Sequence, residues 1–187
     1  MKMVSRIGIL SLMICGMFSP TSYAGTLADD YSTVVQRRYD LEAQRKGYEK
    51  QLGTLAARKK SLTLLFFQCV SQKNKDFWET KLAESNASND ELSANRLELI
   101  DLRNHLDQTR KGLEEKRLEI EKKHTAKGPG TPYETEFREY MQALETEYFT
   151  LLETDLFEGY KTYLSKIEAH IGFLKESVGT CMKRKIK

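Results

Sequence analysis

The stretch "LTLLFFQCVSQKNKDFW", Leu62 to Trp78, is an apolar, aromatic run with one cysteine at its middle, closing a long charged segment. A cysteine beside two phenylalanines needs cover, and whatever supplies the cover fixes the architecture. Counting back from Cys69 by sevens meets Leu62, Leu55, Tyr48, Leu41, Val34 and Leu27. Between them fall Phe66, Lys59, Leu52, Arg45, Arg38 and Tyr31, which completes the 4-3 alternation of a helical seam. Three of these intervening positions are basic, so long stems should pack there with their heads in water. The pattern predicts one helix from about Leu27 to about Val70.

A second helix is expected from about Asp90 to His124, opened by the start signal Ser88-Asn89-Asp90. It places Leu92, Leu99, Leu106, Leu113 and Ile120 at sevens, with Leu102 between, and runs an arginine stripe beside them at Arg96, Arg103, Arg110 and Arg117. The stop is "KGPGTP", Lys127 to Pro132. A third helix follows from the capping box Thr131-Pro132-Tyr133-Glu134, with proline at its first position. Its apolar face is Phe137, Met141, Leu144, Tyr148, Leu151, Leu156, Tyr163, Ile167, Ile171, Leu174 and Val178. Gly159 and Gly172 are places for a bend, and Gly179 is a natural end. The connector "KNKDFWETKLAES" is expected to hold a short helix.

At 1.5 Å per residue the three helices are roughly 65, 50 and 70 Å long. Short connections make the chain run up, down, up, so the first and third helices finish at the same end. Cys69 and Cys181 meet there, and an even pair in an exported chain reads as a disulfide. Closing a loop of that length stabilises by ~4–5 kcal/mol in the chain-entropy account. Phe66, Phe67, Phe77 and Trp78 then form a plug at the bridged end. Charge favours the same packing. Glu134 to Glu158 holds eight acids against Arg138 alone, and the second helix ends in Arg110, Lys111, Lys116, Arg117, Lys122 and Lys123. Such surface pairs are worth ~0–1 kcal/mol each and set register more than stability. The fold expected is all-α, an elongated up-down-up three-helix bundle locked at one end.

Export is read from the N-terminus, "MKMVSRIGILSLMICGMFSPTSYAGTLADD". Lys2 and Arg6 precede an apolar stretch from Ile7 to about Phe18, and Ser22-Tyr23-Ala24 offers a small-x-small cleavage site. Residues 1–24 are expected to be a cleaved signal peptide, and 25–187 a single helical domain. A lipoprotein would need a small residue before Cys15, where Ile14 stands. No later run approaches the ~20 apolar residues of a membrane span. The destination expected is the bacterial periplasm, with secretion or surface association as the alternative.

The whole-chain charge is +3, and removing Lys2 and Arg6 leaves about +1. That near-balance argues against nucleic acid, which wants a clearly basic face. The terminal "KRKIK" is a solvated helix end with at most a weak contact to an anionic surface. Catalytic constellations are missing: His105, His124 and His170 are far apart, and Glu121-Lys122-Lys123-His124 is a single copy of a spacing that di-iron bundles need twice. There is no His-Glu-x-x-His, Gly-x-Ser-x-Gly or phosphate-cradling glycine loop. No catalytic residue, metal or cofactor is expected. Asn86-Ala87-Ser88 matches a glycosylation sequon, read here as chance.

What remains is contact with another protein, with oligomers allowed. The candidate partner-binding residues are Arg96, Arg103, Arg110 and Arg117, and the aromatic group Phe66, Phe67, Phe77 and Trp78. For both groups internal packing is the simpler reading. The role expected is a non-enzymatic accessory or adaptor subunit of a secretion or pilus-type envelope machine. A signal peptide followed by long bundled helices is also the plan of minor pilus subunits of type IV secretion systems, a likeness of plan without a shared motif. A periplasmic holdase chaperone and a toxin-neutralising immunity protein are the alternatives.

Overall fold

The structure, a computed structural model, describes residues 26–70 and 75–185, without the side chains of 75–77 and 183–185. The expected signal peptide, the Phe77 side chain and the "KRKIK" side chains lie outside the described residues. All the described elements are helical, and α1 (Leu27–Val70) takes the bounds its heptads predict. Its start is fixed by a reciprocal cap: the Asp29 amide donates to Thr26 Oγ1 at 3.2 Å, and the Thr26 amide to Asp29 Oδ2 at 3.3 Å.

The second helix differs from expectation at its start. α2 (Lys75–Lys123) begins some fifteen residues early, so the connector from Lys75 on is helical but forms its first turns instead of a separate helix. Ser88-Asn89-Asp90 therefore lies mid-helix, and the sequon with it. The reason is tertiary: Trp78, Leu82 and Ser85 carry the 4-3 spacing back from Asn89 and Leu92. Trp78 is 2 % exposed against α4, so burial outweighs the weak helix preference of Asn and Ser.

The third helix is one continuous rod of four parts: α3 (Pro132–Ala143), two six-residue π-helical segments, Leu144–Phe149 and Leu151–Leu156, and α4 (Phe157–Lys185). Its capping box forms only in part. Pro132 takes the first position, but the Thr131 hydroxyl donates back to the Gly128 carbonyl at 2.6 Å. Glu134 reaches past Thr131 to accept from the Gly130 amide at 2.7 Å. Gly130 has φ +74°, the left-handed conformation that glycine adopts most cheaply. The helix does not end at Gly179 but carries on through Cys181 to Lys185. Gly159 is a close approach, where an added Cβ would stand 3.0 Å from Leu99 Cδ2.

The π segments have a sequence cause. Leu144, Tyr148, Leu152, Leu156 and Tyr160 recur at fours, and all are 3 % exposed or less. In an α-helix each step of four overshoots a full turn by about 40°, so five such positions would wind off the core. A wider π turn takes that angle back and keeps the stripe facing inward.

α1 and α2 each pack chiefly on the third rod and touch one another little. The α2 stripe of Leu99, Leu106, Leu113 and Ile120 joins the main core, whose other half is the aromatic face from Tyr133 to Tyr160. A smaller cluster holds the other end: Phe66, Cys69, Trp78, Leu174, Val178 and Cys181. There Cys69 and Cys181 form the expected disulfide, 112 residues apart in sequence with Cα atoms 5.9 Å apart.

Candidate functional site

The aromatic group divides. Phe66 is fully buried and Trp78 nearly so; their rings meet edge-on at 5.9 Å beside the bridge. These two are the plug. Phe67, whose ring meets Phe66 edge-on at 5.9 Å, is 48 % exposed, and Leu64 on the same helix is 60 % exposed.

The arginine stripe divides too. Arg103 Nη2 lies 3.3 Å from Glu49 of α1, and Arg117 is held by Glu114 and Glu121 of its own helix. Glu49 also accepts from Arg45 Nε at 3.3 Å and from the Tyr160 hydroxyl at 3.1 Å. Arg45, only 11 % exposed, adds Asp107 of α2 at 3.5 Å. Burial works against the Arg45 charge, but Glu42, Asp107 and Glu49 outweigh it and raise its pKa. This knot of two arginines and two acids straps α1 to α2 halfway along the bundle. Arg110 borders a hollow mixed in sign, with Asp107, Glu114 and Glu115 around it. Arg96 stands apart, in a groove with no acid.

The acids of the third rod do not face α2 as the sequence led us to expect, except at the loop end, where Lys123 meets Glu136 at 2.6 Å. They face α1. Arg37 pairs with Glu153 at 3.0 Å and Glu145 at 3.7 Å while lying over the Phe149 ring, and Arg138 pairs with Asp30 at 2.6 Å. Tyr148, fully buried, donates its hydroxyl to Glu42. Burial first, then that bond, push the Tyr148 phenol far up; burial pushes Tyr140 up to about 12.

A further exposed hollow is the groove at Arg96, near the bridged end. It has a volume of about 390 Å3 between α1 and α2, with α4 as its floor. Lys59 and Lys60 of α1 share it with Arg96, and Leu64 and Phe67 form its apolar lip. Partial burial lowers the Lys59 pKa. Sequence reasoning singled out Arg96 and Phe67 but not Lys60 or Leu64, and read Lys59 only as a basic residue of the seam. The seven-residue offset from Leu62 to Cys69 puts Leu64 and Phe67 off the seam, the signal that could have found them.

Among the described residues no group of three or more His, Cys, Asp or Glu could hold a metal ion. None of the described helices is long and apolar enough to cross a membrane. Comparison of the chain with protein-family models, curated proteins and solved structures finds no match.

Proposed function

We propose that this chain is a stiff, disulfide-locked rod of the cell envelope that works by protein–protein contact, as an accessory or adaptor subunit of a secretion or pilus-type machine. The single observation that carries the reading is the exposed apolar lip of Leu64 and Phe67 beside three cations, on an end that the bridge holds rigid. Rigidity there lowers the ordering cost of binding. Export rests on the leader read from the sequence.

The test is a photo-crosslinking side chain at Phe67 in the full chain, expressed in its native envelope. Capture of one discrete protein supports the adaptor role. A smear of many envelope proteins supports a holdase instead, and capture of its own chain alone makes the lip a self-association surface. The same probe at Arg103 should capture nothing beyond its own chain, because Glu49 already occupies that guanidinium.

A further inference from the structure

Three helices arranged so that two lean on a third leave a fourth position open. Here it is the groove between α1 and α2, and its contents are one-sided. None of its lining residues is acidic, and the Lys59, Lys60 and Arg96 side chains make no ion pair among the described residues. Arg45, Arg103 and Arg117, along the same α1–α2 face, are all matched by carboxylates. The groove is thus a local excess of positive charge among the described residues, next to exposed Leu64 and Phe67.

We infer that this groove seats one helix of a partner protein, an amphipathic helix whose acidic residues meet Lys59, Lys60 and Arg96 while its apolar stripe packs on Leu64, Phe67 and Tyr163. The inference rests on the protein-contact reading above and names the partner's chemistry. The α1 wall runs from Ala56 to Phe67, about three helical turns, a length a single docked helix can follow. A flat anionic bilayer could touch the lip but not Ile167 on the floor between two walls. The "KRKIK" segment has the same sign as the groove and does not complement it. A second copy fits poorly, because the acid-rich stretch Glu134–Glu158 spends Glu145 and Glu153 on Arg37 and buries its apolar face in its own core.

The test uses the purified, oxidised chain and a labelled amphipathic peptide of about 18 residues with leucine at i, i+3, i+4 and i+7 and glutamate flanking them. A control peptide carries lysine for each glutamate. By fluorescence anisotropy the acidic peptide binds and the basic one does not. Lys59→Glu, Lys60→Glu and Arg96→Glu together weaken the acidic peptide by at least about tenfold at unchanged thermal midpoint, and Phe67→Ala alone weakens it at the exposed lip. Equal binding of both peptides, or binding of the acidic peptide indifferent to the triple reversal, overturns the inference. So does failure of the acidic peptide to bind while vesicles of phosphatidylglycerol and phosphatidylethanolamine carry the chain through the same three cations. A discrete partner crosslinked at Phe67 whose capture survives the triple reversal overturns the acidic helix alone and leaves the contact reading standing. No crosslink at either Phe67 or Leu64 removes that reading itself.

Discussion

His170 sits on α4 at 3 % exposure with neither ring nitrogen hydrogen-bonded, its ring stacked on Phe173 at 6.0 Å. Burial pushes its imidazole below the ordinary value, and the Lys59 ammonium adds to the push. The unfolded chain takes up this proton near pH 6.5, the folded chain only at lower pH. Proton uptake therefore does not oppose the fold above about pH 6.5, and stability drains as pH falls from there through the lower, folded value. Carboxylates held low, such as Glu114 beside Arg117, also lose their contribution in acid, but only as pH falls through the ordinary carboxylate range and below it. The thermal midpoint, followed by circular dichroism, should fall between pH 7 and pH 5. His170→Leu should flatten that interval, and by removing two unpaired buried nitrogens should raise the midpoint at pH 7 by about 2–4 °C. An unchanged slope in the variant would move the effect elsewhere.

Two of the three glycines of α4 separate backbone preference from packing. At Gly172 an added Cβ meets nothing within 4 Å, while at Gly159 it stands 3.0 Å from Leu99 Cδ2 and 3.4 Å from Leu102 Cδ1. Gly172→Ala should stabilise by about 0.5–1 kcal/mol, the ordinary helix preference of alanine. Gly159→Ala should gain less, because Leu99 has to yield, and Gly159→Leu should cost about 1–3 kcal/mol by overpacking. Urea midpoints of the three variants measure this directly. The elements differ in how far the sequence betrayed them. α1 was legible end to end because its 4-3 alternation is unbroken from Leu27 to Cys69. The start of α2 was hidden because Ser85 and Asn89 occupy seam positions where apolar residues would have shown the period. In the third rod the expected apolar face held Leu151, whereas the fully buried residue is Leu152; the run of fours that widens the helix departs from any single period. The groove was invisible for another reason. Lys59, Arg96 and Ile167 share it only because three helices far apart in sequence are brought side by side, and no local pattern records a gap.

Over the whole molecule, the bridge and the small cluster around it act together. Cys69→Ser with Cys181→Ser should lower stability by about 4–5 kcal/mol, the loop-closure value for a link of this span. The loss should begin at the bridged end, where Phe66, Trp78 and Leu174 form a core separate from the main one. Trp78 is the chain's one tryptophan. Its emission should shift red at a lower urea concentration than the loss of helical circular dichroism in the double variant, and coincide with it in the oxidised protein. Peptide mapping without reductant should recover Cys69 and Cys181 in one linked fragment.

The bridge also settles a matter of translation along the bundle. A seam that repeats every seven residues, as Leu27 to Leu62 does, is nearly indifferent to sliding: slipping α1 by one heptad, roughly 10 Å, lays apolar side chains on apolar side chains again. Taken alone, such a repeating edge is a ruler with no zero. The covalent link between Cys69 and Cys181 cannot follow such a slip, so it supplies the zero mark. Every distance along the rod, from the bridged groove to the "KGPGTP" turn at the far end, is thereby counted from one fixed point.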